Sequence, residues 1–160
     1  MVSRQRAMAT AGAQRGLTLI ELMVVLSLLG LLATLAAPSM ARLIATQRIK
    51  ATASDLHLAL IKARAEALKR NAAVTLQPAA GGWAAGWTLS AGTQSIDVAG
   101  AAKGATIETT AASLSYGPTG RLTGNAASSF TIRSSSSGVS AAKCVGVELS
   151  GRPYQKDGGC

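Results

Sequence analysis

Residues 17–37, LTLIELMVVLSLLGLLATLAA, form an apolar run of 21 positions that polar side chains interrupt only at Thr18, Glu21, Ser27 and Thr34. At about 1.5 Å per residue a helix of this length spans a hydrocarbon core of about 30 Å, so residues 17–41 are expected to be a transmembrane helix. Pro38 lacks a backbone N–H and crowds the preceding turn, which predicts a kink at or before Ala37. Beyond it the pattern becomes amphipathic. Ile49, Ala53, Leu56, Leu60, Ala63 and Ala67 recur at spacings of three and four, which places them on one face of a helix over 42–71. Alanines favour that helix and let a sheet approach it closely; Asn71 is the expected stop.

After Asn71 the period shortens. Segments of β character broken by Gly, Pro, Ser and Asn predict strands at 73–77, 83–90, 95–98, 106–109, 113–116, 129–133 and 143–149. Short, evenly spaced strands imply an antiparallel sheet or small sandwich over 72–160, one face of which must cover the apolar stripe of the helix. The fold class is therefore α+β: a long N-terminal helix, membrane-spanning in its first half and amphipathic in its second, packed on a small antiparallel β domain. Of Trp83 and Trp87, one or both are expected to anchor the core edge, in preference to forming a ligand platform.

Glu21 is the anomaly in the apolar run. A carboxylate at the centre of a membrane helix costs about 2.5–3.5 kcal/mol on insertion scales, less near an interface, and intramembrane acids usually have a partner. Cleavage after Gly16 would give Leu17 a new α-amine, and in a bundle of subunits that amine could neutralise Glu21 of a neighbour. An ordinary signal peptide has an apolar region of about 7–15 residues, shorter than this one. A plain single-span anchor fits the length but leaves Glu21 unexplained.

The ordered residues Gly16, Leu17, Thr18, Leu19, Ile20 and Glu21, behind a basic leader with Arg4, Arg6 and Arg15, closely resemble the processing signal of the type IV pilin-like proteins. Leu17 stands where phenylalanine is usual, and Pro38 stands where that family commonly bends its helix. The resemblance implies a pilin-like fold, a leader 1–16 removed by prepilin peptidase, N-methylation of Leu17 by the associated N-methyltransferase, and a role for Glu21 in subunit assembly. It also implies a bacterial inner-membrane, single-pass topology with a cytoplasmic leader and a periplasmic C-terminal domain. The expected partners are other pilin or pseudopilin subunits, the inner-membrane assembly platform and membrane lipid. Further along, Ala63, Arg64, Glu66 and Ala67, the segment SYGPTGRLTG at 115–124 and VELSGRPY at 147–154 resemble the GspH/FimT branch, the last as a final strand followed by Ser-Gly-Arg.

The formal charge of +9 falls to +6 once the three leader arginines are removed. Seven cations lie between Arg42 and Arg70 against only Asp55 and Glu66. Such a helix could meet anionic headgroups or nucleic acid, but a solvated or subunit-facing surface is the favoured reading. Cys144 and Cys160 are a natural pair in an oxidising compartment; closing that loop is worth about 3 kcal/mol, the alternative being two free thiols. With one histidine, His57, read as a helix-surface residue, and no close cysteine pair, no metal site is expected.

No catalytic constellation emerges. The acids after the leader lie scattered at 21, 55, 66, 97, 108, 148 and 157, and the glycines at 81, 82 and 86 lack the Lys-Ser/Thr ending of a phosphate loop. Neither an enzyme nor a cofactor is expected. The primary function reading is a structural subunit, a minor pilin of a type IV pilus or a pseudopilin of a type II secretion system; the paired cysteines tilt it toward the pilus. The alternative is a minor pilin that binds DNA during uptake. On the FimT side of the family that role goes with closely spaced C-terminal arginines after a glycine. Here Arg152 is in place, but Pro153, Tyr154 and Gln155 intervene before Lys156, so the cationic cluster is diluted and DNA is the less favoured partner. Arg121, Arg133 and Lys143 could join only if the fold gathers them.

Overall fold

The computed structural model describes residues 18–124 and 127–160. One helix, α1 (Leu19–Arg70), is followed by eight strands: β1 (Val74–Ala79), β2 (Gly82–Ala91), β3 (Gln94–Ala99), β4 (Ala105–Glu108), β5 (Leu114–Tyr116), β6 (Ser128–Ser134), β7 (Ala142–Val147) and β8 (Pro153–Asp157). The chain divides into two compact units, residues 1–38 and 39–160.

In the first unit the helix starts at Thr18, whose Oγ1 accepts the Glu21 N–H at 3.3 Å while its carbonyl accepts the Leu22 N–H. This is the N-cap geometry that Ser and Thr favour, with a carboxylate three residues on at the positive end of the helix. The hydroxyls of Ser27 and Thr34 donate to the carbonyls of Met23 and Leu31, so neither is unsatisfied in an apolar stretch. The large apolar side chains between Leu19 and Leu32 are all exposed within the chain. Among the described residues no single helix is long and apolar enough to cross a membrane; the segments Leu19–Thr34 and Ala36–Arg70 pass that test only as a pair. Pro38 lies inside α1 and has no N–H for the Thr34 carbonyl four residues before it.

In the second unit, the predicted stripe of Ile49, Ala53, Leu56, Leu60, Ala63 and Ala67 is fully buried and forms the spine of one core. Val74, Leu76, Leu89 and Tyr116 pack there together with Phe130, Ile132, Val145 and Val147. The helix ends as Asn71 takes a left-handed conformation (φ 49°), with Asn71 N–H bonded to Leu68 O and Ala72 N–H to Ala67 O. That pair of bonds is the Schellman cap, and asparagine tolerates its backbone better than any other residue with a Cβ.

The strands form two antiparallel four-stranded sheets, β3-β2-β1-β5 and β4-β6-β7-β8. Trp83 and Trp87 are both buried; Trp83 donates to Ala111 O at 2.7 Å and meets Phe130 edge-on at 4.9 Å. Between them Gly86 has φ 115°, and a Cβ there would collide with the Ala99 carbonyl, so only glycine fits.

Two expectations need correction. The last strand does not run to residue 149: β7 stops at Val147, and Glu148 and Gly151 close a turn, with Glu148 N–H bonded to Arg152 O and Gly151 N–H to Glu148 O. An eighth strand, β8, then follows. It escapes detection because it opens on proline and continues with Gln155, Lys156 and Asp157, all exposed at a sheet edge, where no apolar alternation is needed. His57, read as a surface residue, is instead half-buried, and its Nδ1 is enclosed without a partner among the described residues.

Candidate functional site

The residues singled out from sequence fall in separate regions. Gly16 and Leu17, the expected cleavage and methylation positions, lie outside the described residues. Glu21 is exposed in the first turn of α1.

Cys144 and Cys160 form a disulfide, with their Cα atoms 5.1 Å apart. Cys144 sits on β7, and the tail returns because β8 pairs with β7 (Cys144 opposite Lys156) before Gly158 donates to Ala142 O. Cys160 N–H then donates to Thr131 Oγ1 on β6 at 3.0 Å. Disulfide and hydrogen bonds together fasten the tail across two strands.

The C-terminal cations are sorted by the same strands. Because side chains alternate along β8, Tyr154 and Lys156 share one face, and Arg152 leads into it from the turn. Tyr154 is opposite Gly146 and lies over it: a Cβ at Gly146 would collide with the phenol ring. Gly151 (φ 80°) approaches the backbone of Gly120 and Arg121 too closely for any Cβ, so the turns bearing Arg121 and Arg152 abut. Two other cations are neutralised. Arg133 pairs with Glu108 at 3.4 Å, and Lys143 pairs with Asp157, whose carboxyl it holds below the usual range by a hydrogen bond, then by its charge.

Two features had no signal in the sequence, because each joins residues far apart along the chain. Lys62 on α1 bonds Asp97 on β3 at 2.7 Å, and Asp97 also accepts the N–H of Val98 at 3.0 Å. Lys62 holds the Asp97 carboxyl below its ordinary range through that hydrogen bond, against the opposing effect of desolvation. Beside this pair runs an open groove of about 580 Å³, floored by Ala59, Trp87, Ala99 and Ala102 and rimmed by Arg48, Asp55, Leu58 and Lys103. Under the other flank of α1, Tyr116 is fully buried; burial pushes its phenol up, and the Arg64 charge only partly offsets this. Among the described residues no three His, Cys, Asp or Glu side chains are grouped to hold a metal ion.

A capped N-terminal helix rich in exposed apolar side chains, continuing into a stripe buried by antiparallel sheets, defines a pilin-like α+β protein. Residues 52–151 match the family model described as Type II transport protein GspH, and residues 12–37 match the prokaryotic N-terminal methylation motif. The chain belongs to the GspH family of pilin-like proteins. Among solved structures it is similar to the type IV minor pilin FimU of Pseudomonas aeruginosa in two crystal forms. The first has a TM-score of 0.61 at 16% identity, covering 69% of this chain and 89% of FimU. The second has a TM-score of 0.58 at 18% identity, covering 67% and 91%. At such identity the likeness speaks for the fold. No curated protein sequence matches the chain.

Proposed function

We propose that this chain is a non-enzymatic structural subunit, a minor pilin of a type IV pilus or a pseudopilin of a type II secretion pseudopilus. In this reading prepilin peptidase cuts between Gly16 and Leu17, Leu17 is N-methylated, and residues 17–41 anchor the protein in the bacterial inner membrane with the β domain in the periplasm. The assembly platform then moves it into a filament, where Glu21 meets the α-amine of a neighbouring subunit and Pro38 kinks the helix to suit the packing.

The observation that carries this reading is the uncovered apolar surface of α1. Eleven large side chains between Leu19 and Leu32 are 46–77% exposed, with nothing among the described residues covering them. Covering what remains exposed is worth on the order of 10 kcal/mol, a free energy that lipid or other subunits would supply. Intact-mass analysis of membrane-extracted protein tests it: the mature chain should begin at Leu17 and carry one extra methyl group. A mature chain beginning at Met1 would sink the reading.

A second reading, DNA binding during uptake, draws support from the shared face of Tyr154 and Lys156 on β8, from Arg152 in the turn leading into it and from the adjoining turn of Arg121. Cations interleaved with an aromatic ring suit a phosphate backbone and its bases. With Arg133 and Lys143 already paired the surface charge is modest, so it stands second. Titration with short DNA at increasing salt separates the two: a steep slope that the Arg152→Ala, Lys156→Ala variant flattens would promote it.

A further inference from the structure

Where α1 enters the second unit, cations gather without matching acids. No Asp or Glu occurs between Glu21 and Asp55, whereas Arg42, Arg48 and Lys50 lie in that interval and are exposed. The loops that follow β3 and β6 close on the same turns. Ser135 N–H bonds Gly104 O at 3.2 Å, and the Arg48 guanidinium lies so near Gly104 that a Cβ there would crowd it. Lys103, also exposed, precedes that glycine. Arg42, Arg48, Lys50 and Lys103 have no salt bridge among the described residues, and Asp157 at the end of β8 is already held by Lys143.

Arg42, Thr46 and residues 138–141 line a pocket of about 270 Å³. Its chemistry is one-sided. The Thr46 hydroxyl already donates to Arg42 O, but the Arg42 guanidinium has no hydrogen bond or ion pair among the described residues. The N–H groups of Gly138, Val139 and Ser140 find no acceptor there either, and Gly138 has the left-handed backbone (φ 80°) common in anion-binding turns. Unused donors beside a cation, with no carboxylate in the lining, suit a ligand that only accepts hydrogen bonds.

The helix says what carries that anion. Arg42 comes five positions after Ala37, the end of the apolar run, which is less than two helical turns. On those turns Met40, Leu43 and Ile44 are 56%, 53% and 45% exposed, so apolar surface continues up to the pocket. Exposed apolar side chains and unpaired cations on the same turns belong where hydrocarbon gives way to headgroups. A freely diffusing phosphate gains nothing from the apolar turns; a phospholipid gains contact for its acyl chains.

We propose that the pocket binds the phosphodiester of an anionic phospholipid of the phosphatidylglycerol type. Arg42 supplies the charge, the turn at 138–140 the N–H donors, and Arg48 and Lys103 the surrounding positive field. A zwitterionic headgroup is disfavoured, because its ammonium would stand among these cations. The proposal rests on the membrane-anchored subunit reading and deepens it: one headgroup tethers the β domain to the bilayer before the chain leaves it.

The test places the full chain in phosphatidylcholine nanodiscs with or without about one-third phosphatidylglycerol and follows amide hydrogen exchange by mass spectrometry. In the anionic discs the peptide holding residues 138–140 should exchange about tenfold more slowly, while β1 and β2 stay unchanged. Arg42→Gln should remove that protection and Arg42→Lys should keep part of it, with β1 and β2 reporting that each variant is folded. Phosphatidylethanolamine in place of phosphatidylglycerol, or inorganic phosphate added to neutral discs, should protect nothing. Protection by inorganic phosphate alone would make the pocket a free-anion site and overturn the lipid as occupant. Protection by phosphatidylethanolamine, or protection indifferent to Arg42→Gln, would overturn the proposal as well. A chain that enters the discs yet exchanges equally in neutral and anionic lipid overturns only this inference. A chain that does not enter them sinks the anchored reading and this one with it.

Discussion

Asp97 accepts a hydrogen bond from the Lys62 ammonium 35 residues away and another from the N–H of its own neighbour, Val98, so one carboxylate ties the edge strand of a sheet to the helix and caps an edge donor. Unpaired edge groups are templates for intermolecular pairing, and an inward-bonded charge is one way to blunt them.

Asp97→Ala, which removes both acceptor oxygens, therefore acts more on solubility than on stability. Both partners are about half exposed, so the pair itself contributes at most about 1 kcal/mol. The variant should unfold within that margin of the parent yet aggregate faster at equal concentration, as light scattering would register. An unchanged aggregation rate would show that the cap protects nothing.

The same carboxyl sets a pH dependence. Its folded pKa lies below the unfolded value, so the unfolded state binds the proton more readily and stability rises with pH. The contribution is complete above the ordinary carboxylate range and is lost as pH falls through the depressed folded value, below about 4. Denaturant midpoints between pH 6 and 2 should therefore drop less steeply for Asp97→Asn than for the parent.

Removing the disulfide should cost more than any single surface pair. The bond joins cysteines 16 positions apart, so Cys160→Ser is expected to lower unfolding free energy by about 2–4 kcal/mol. Alkylation without reductant should leave the native cysteines untouched; quantitative labelling would contradict the bond.

A double-mutant cycle can measure the Gly146–Tyr154 contact. Gly146→Ala places a methyl where the phenol ring lies, and the ring must swing outward, at a cost of about 1–3 kcal/mol. In a Tyr154→Ala background the same change should cost nearly nothing, because the obstruction is gone. Additive costs would mean the ring does not rest there.

What could be read in advance follows from where the information lies. The buried stripe from Ile49 to Ala67 and the Asn71 stop are local patterns, and both recur in the structure as expected. The tryptophans are buried for the same reason: large apolar area in a small domain has nowhere else to go. β8 was illegible because an exposed edge strand carries no hydrophobic alternation, and its pairing to β7 is fixed by the turn at Gly151. His57 was misjudged since the helical period alone does not say how far the neighbouring sheet reaches around the helix. The Lys62–Asp97 clasp and the groove depend on register between distant segments, and no window of sequence contains both halves.

The back-bonded hydroxyls of Ser27 and Thr34 have one more consequence. With their donors satisfied inside the helix, these residues add almost nothing polar to its exterior, so in the proposed reading leaving lipid for a bundle of similar helices would exchange one hydrocarbon contact for another. The transfer is then close to thermoneutral for most of the segment. Under the proposed subunit reading its direction would be set by close packing and by the one ionisable side chain between Leu19 and Ala37, which would make Glu21 a toggle between two solvents for an otherwise indifferent helix.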